Sequence, residues 1–298
     1  GFYRFCPQEM VRRMTWVPLV LFYGLAKGAR EICKKKAMQR SGMMEVLFLY
    51  TLVSFLLVTP DVRRAGGVAP QLLAWIAVKS LVIFAAWICS FRAIAHLPIS
   101  LCGVLDLSRV LFSTALGLIF LRETLSAAQL VGLTLVCGGL LLLRCRKAPA
   151  VPAAPGDAGT WVYVLLSLIS CLLNAVSGTM DKVLMRSVTS AQLQFWYMLF
   201  LTALYGGYVL IRRIRIDWRN VWKNYWILLL SVLFVAADRA LFIANGMPDS
   251  RVTVMTLIKQ SGTLVTILGG RFVFRESDTG YKLFCALVIC AGIVIAVI

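Results

Sequence analysis

The chain has 298 residues, 60% of them hydrophobic and only 15% charged, with a mean hydropathy of +0.84, which excludes a soluble globular domain of this size. Lys and Arg number 31 against 13 Asp and Glu, but the excess sits mostly in short segments between apolar runs, and no separate basic domain exists to bind nucleic acid. The nine cysteines fall mostly within or beside apolar runs without a CxxC spacing, and His96 is the one histidine. Neither a disulfide framework, nor a metal site, nor any cofactor is therefore expected.

In chain order, ten runs approach the roughly 20 residues that a helix needs to cross a bilayer. They are 14–33, 43–59, 71–95, 99–121, 126–144, 160–181, 191–211, 225–245, 251–273 and 279–298. Each must be helical in lipid, because only a helix satisfies its own backbone there. The first lacks a small-residue cleavage site before "KGAREICKKK" and reads as a spanning helix, not a leader. Between the fifth and sixth runs lies "RCRKAPAVPAAPGDAGT", Arg144 to Thr160, whose Pro, Ala and Gly content cannot continue a helix. This divides the chain into 1–143, a linker 144–160, and 161–298, with five helices in each half.

The halves resemble one another. "FLRETLSAAQLVGLTLVCGGLLLL" parallels "FRESDTGYKLFCALVICAGIVIAVI", setting Arg122-Glu123 against Arg275-Glu276, and "FRAIAHLPIS" parallels "LFIANGMPDS", setting Pro98 against Pro248 and Ser100 against Ser250. An odd number of spans per unit turns the second copy upside down. The fold expected is thus an all-α membrane protein of ten transmembrane helices in two inverted five-helix repeats. Lys and Arg crowd the odd-numbered connections, above all 30–40 and 212–223, which by the positive-inside rule places those in the cytoplasm and the termini outside.

A small-residue-rich helix, a Pro-Ser turn, a long apolar helix ending in Arg-Glu and a Gly-containing closing helix, twice over, resembles the ten-helix EamA-type branch of the drug/metabolite transporter superfamily. The resemblance runs from about Trp16 to the end of the chain. It implies solute transport through a central cavity between the repeats, with export as the direction, and it implies cytoplasmic termini, the reverse of the charge count. Amino-acid exporters belong to this branch, and nucleotide-sugar and triose-phosphate carriers are its relatives.

Charges stand inside these runs, away from their ends: Lys79, Asp106, Arg109, Asp238, Arg239 and Lys259, with Arg92 nearer an end. A charge at the centre of an isolated helix costs about 2.5–3.5 kcal/mol even on lenient insertion scales, so these residues must face protein, water or one another. Asp106 and Arg109, three apart, share a helical face. Aligning the Arg-Glu anchors sets Asp106 opposite Lys259, and an inter-repeat ion pair between them near the midplane is expected. Asp238 and Arg239 point about 100° apart and must serve different neighbours. Lys79 and Arg92 have no acidic residue within a turn, which points to a visiting anion, a carboxylate or phosphate. Asn174 is a further cavity hydrogen bonder or interhelical tie. Trp75, Trp87, Phe91 and Trp196 line either a pocket or the lipid interface.

No Walker loop, nucleophile elbow or HExxH occurs, so the chain does not read as an enzyme or as an ATP-driven pump; an intramembrane carboxylate enzyme built on Asp106 and Asp238 is the remote rival. The partners expected are a small-molecule substrate and the lipid bilayer of a bacterial plasma membrane. Proton coupling and exchange both stay open, as do monomer and homodimer. If Asp106 and Lys259 pair directly, the exchanged variant Asp106→Lys with Lys259→Asp recovers the transport that either single change abolishes; an exchanged variant as inactive as the singles refutes the pairing.

Overall fold

The computed structural model describes residues 15–96, 99–122, 124–145, 158–214, 216, 218, 223–262, 265, 272 and 279–297. It is helical throughout, with no strand among the described residues. The helices are α1 (Trp16–Met38), α2 (Met43–Val58), α3 (Pro70–His96), α4 (Ile99–Phe120), α5 (Ala127–Cys145), α6 (Ala158–Leu184), α7 (Ser190–Ile211), α8 (Tyr225–Gly246), α9 (Val252–Ile258) and α10 (Thr279–Val297). A 3-10 segment, Thr59–Arg64, continues α2, and another, Lys259–Ser261, continues α9. The ten expected spans each correspond to one helix, although the ninth is described only in its first part. Among the described residues five segments are long and apolar enough to cross a bilayer: Met43–Arg64, Pro70–Ser90, Trp161–Leu184, Ser190–Ile211 and Tyr225–Gly246. The protein is an integral, multi-pass membrane protein.

Local chemistry starts three of these helices. Thr189 Oγ1 accepts the Gln192 amide at 3.3 Å while Gln192 Oε1 accepts the Thr189 amide at 2.9 Å, so two backbone donors that the α7 terminus would strand are satisfied reciprocally. Ser126 and Gln129 repeat the arrangement ahead of α5, and Glu45 Oε2 takes the Gly42 amide before α2. Both Ser/Thr-x-x-Gln signatures are visible in the sequence.

Packing joins the halves rather than separating them. Helix α1 lies on α8 and α3 on α6, α2 on α7 and α8, α3 on α7, α4 on α6 and α9, and α5 on α10. Exchanging every helix for the one five places along maps α1–α8 onto α6–α3, and α2–α8 onto α7–α3. One core joins the end of α1 to α2, α3, α7 and α8, and holds Leu47, Ile76, Met198, Tyr205 and Phe242. A second lies among α1, α8 and α9, and a third among α4, α5, α9 and α10. Phe22, Leu81, Leu118, Leu165 and Leu228 are exposed along the outside, where acyl chains replace water.

Two interfaces bring backbones together. A Cβ on Gly28 of α1 would clash with the Gly262 carbonyl oxygen, and one on Gly132 of α5 would stand 2.6 Å from the Gly292 carbonyl oxygen of α10. The absence of a side chain is what permits such approach. Gly28→Ala is expected to lower the stability of the detergent-solubilised protein by about 1–3 kcal/mol through overpacking. Gly207→Ala, whose new methyl meets nothing within 4 Å, is its control. Equal thermal midpoints for the two variants would contradict the close contact.

Candidate functional site

Among the described residues, three ion pairs tie charges of one half to charges of the other. Lys79 of α3 is among the most deeply buried side chains of the molecule, and its Nζ lies 3.2 Å from Asp181 Oδ1 on α6. Aromatic faces complete its surroundings: Nζ is 3.5 Å from the centroid of Tyr197 and 5.4 Å from that of Phe242. A cation over an aromatic face gains about 0.5–2 kcal/mol, more as water is removed. The sequence neighbourhood of Lys79 offered no acidic partner; the fold brings one from 102 positions along the chain, counting from residue 79 to residue 181.

The second pair has the opposite polarity. Asp238 of α8 accepts from Arg30 of α1 at 3.3 Å, and the guanidinium stacks over Phe234 at 4.9 Å and Tyr23 at 5.5 Å. Basic on α3 and acidic on α6 thus becomes acidic on α8 and basic on α1, across the two interfaces that the five-helix exchange makes equivalent. Arg239, next in sequence, turns away and binds Asp61 in the 3-10 segment after α2 together with Gln194 of α7. Neighbouring residues Asp238 and Arg239 do face different partners, as the helical rotation requires.

Lys259 opens the 3-10 segment that follows α9, where the backbone tightens from the α-helical geometry. It is half-buried, and its Nζ sits 5.5 Å from the centroid of Tyr23. Among the described residues it makes no ion pair or hydrogen bond. It lies within electrostatic reach of Asp181, Asp238 and Arg109. Arg109 is half-buried on α4. The side chain of Asp106 lies outside the described residues, and so does the expected Asp106–Lys259 pair. Glu123, Arg275 and Glu276 of the two Arg-Glu anchors lie outside them as well.

Asn174 is half-buried on α6 and donates to the Ser170 carbonyl at 2.8 Å, within its own helix. It belongs to a polar stripe, Ser167, Ser170, Asn174, Ser177 and Asp181, whose spacing of three and four keeps it on one face. Trp75 is exposed on the outer surface, whereas Trp87 joins Tyr50, Tyr205 and Phe234 in an aromatic cluster beside Arg30. Arg92 is exposed. Lys182 closes the end of α6 by donating to the Met247 carbonyl at 2.7 Å and to Ser250 Oγ, which gives Ser250 of the repeated Pro-Ser turn a definite contact.

Arg30, Asp61 and Asp181 are the members of these networks that reading the sequence missed. Arg30 and Asp181 stand near the ends of their apolar runs, where hydropathy assigns charges to connections. The helices in fact continue to Met38 and Leu184 and carry both residues into the bundle.

Residues 14–145 match the EamA-like transporter family, a stretch that covers α1 to α5. The first five helices are therefore similar to that family. A solved crystal structure aligns over 95% of this chain and 96% of its own with a TM-score of 0.73 and 13% sequence identity, and at that identity the likeness concerns the fold alone. It is one of 29 solved chains that match. No curated protein matches.

Removing one partner of a buried pair strands the other charge, typically at a cost of about 3–5 kcal/mol, while removing both is far milder. Arg30→Gln is expected to lower the thermal midpoint of the purified protein markedly, and Arg30→Gln with Asp238→Asn to regain most of the loss. A midpoint that Arg30→Gln leaves unchanged would show that Asp238 does not depend on it.

Proposed function

We propose that the protein is a secondary transporter that moves a small polar or amphipathic metabolite bearing a carboxylate, an amino acid or a close relative, by alternating access, in the direction of efflux. The observation that carries this reading is Lys259. It is a cation without an ion-pair partner among the described residues, on a helix that changes geometry at that residue, beside two carboxylates whose charges Lys79 and Arg30 already balance. An anion that visits is the chemistry such a group suits. Lys79, Asp106, Arg109, Asn174, Asp238 and Arg239 line or brace the same cavity in this proposal.

The helix pairing that survives an exchange by five supports two inverted five-helix repeats, 1–143 and 161–298, joined by 144–160. Alternating access then follows from one repeat rocking on the other about the buried pairs. A bacterial plasma membrane is the compartment that fits an exporter of this kind. The second reading, a carrier of phosphorylated or nucleotide-linked sugars, draws on the same basic group.

The test is uptake and counterflow by the purified protein in proteoliposomes, with labelled amino acids and sugar phosphates, with and without a pH gradient. Saturable movement of the carboxylate class is expected, falling roughly 10- to 100-fold in Lys259→Ala, the loss of one charge-assisted contact worth about 1.5–3 kcal/mol. Movement of sugar phosphates alone favours the second reading. Movement of neither class defeats both.

A further inference from the structure

Asp181 combines features that a mere counter-ion does not need. It is buried on α6, 6% exposed, at the end of the stripe formed by Ser170, Asn174 and Ser177. Its Oδ1 lies 3.2 Å from Lys79 Nζ in an ion pair, and no second donor to this buried oxygen is found among the described residues. An ionised carboxylate offers about four lone-pair sites, so a single ammonium leaves it acceptor capacity for a further donor. Lys79 does not hang on Asp181 alone, since the faces of Tyr197 and Phe242 hold it independently. On the other side, the helix α9 that leads into Lys259 packs against α6, which brings Lys259 within electrostatic reach of Asp181. An acceptor with open capacity and a cation with no described counter-ion therefore occur together at the junction of the halves.

We propose that Asp181 is a specificity-determining residue that accepts the ammonium group of a zwitterionic substrate while Lys259 takes its carboxylate. This rests on the transport reading above and narrows it, because a zwitterion satisfies both groups, whereas a phosphorylated sugar brings no donor cation to Asp181. A carboxylate hydrogen-bonded to an ammonium forms the stronger, charge-assisted type of contact, so substrate completes what Lys79 leaves unmade. Buried sites built to pair a polar group reject analogues that lack it.

The experiment uses the full-length protein in proteoliposomes with matched pairs of probes, labelled neutral L-amino acids and their des-amino counterparts, the same carbon chains carrying the carboxylate without the amine. The wild-type protein is expected to move the amino acids. In Asp181→Asn that movement is expected to fall at least tenfold, while movement of any des-amino probe changes less than about threefold. In Lys259→Ala both fall. Because Asp181→Asn strands Lys79, a second variant, Lys79→Gln with Asp181→Asn, separates the two roles. A counter-ion role predicts recovery of amino-acid movement in the double variant, and the proposal predicts the same selective loss. Equal losses for both probes, full activity in Asp181→Asn, or recovery in the double variant overturns the assignment. A wild-type protein that moves only des-amino probes overturns it and leaves the transport reading standing, and a wild-type protein that moves neither defeats that reading itself.

Discussion

An ionised side chain inside an apolar bundle must meet an opposite charge or a polarisable face, since neither lipid nor packed aliphatic carbon solvates it. Among the described residues three ion pairs answer that demand, Lys79–Asp181, Arg30–Asp238 and Arg239–Asp61, and each takes one member from either half of the chain. The pairs therefore do more than neutralise charge. Separating α1 from α8 or α3 from α6 exposes a charge to a low dielectric, so the halves are tied at defined places while the surrounding apolar contacts are interchangeable with lipid.

The two deepest pairs reverse polarity across interfaces that are equivalent under exchange of the halves. Electrostatic attraction is indifferent to which helix carries which sign, so each interface keeps its attraction whichever way round its charges stand. The exchange also makes α1–α9 equivalent to α6–α4, and the two differ in character. Gly24, Gly28 and Gly262 lock α1 against α9 backbone to backbone, whereas α6 carries the stripe of Ser170, Asn174, Ser177 and Asp181. Nothing lies within 4 Å of a methyl built on Gly178. The two interfaces thus differ, one a tight backbone contact and the other flanked by a polar helix face.

Aromatic rings make the buried cations tolerable. Tyr23 underlies both Arg30 and Lys259, while Tyr197 and Phe242 enclose Lys79. These rings come from α1, α7 and α8, and their positions in the sequence follow no periodic pattern that distinguishes them from the rings facing outward, such as Trp75 and Trp161. Trp87, which could have faced lipid, instead stacks in the cluster with Tyr50, Tyr205 and Phe234.

Hydropathy by itself determined the order and approximate limits of the described helices, because the bilayer sets their length and each satisfies its own backbone without help from the others. The capping residues Ser126 and Thr189 and the fact that charges lie inside the spans were equally local. Which charge meets which was decided only by the tertiary structure. Lys79 looked unpaired because its partner is distant in sequence, Asp181 and Arg30 looked like connection residues because hydropathy fades before the helix ends, and which neighbours Asp238 and Arg239 serve was decided only when α1 brought Arg30 and the segment after α2 brought Asp61. Pairing depends on helix rotation and crossing in three dimensions, and a hydropathy pattern holds no record of either.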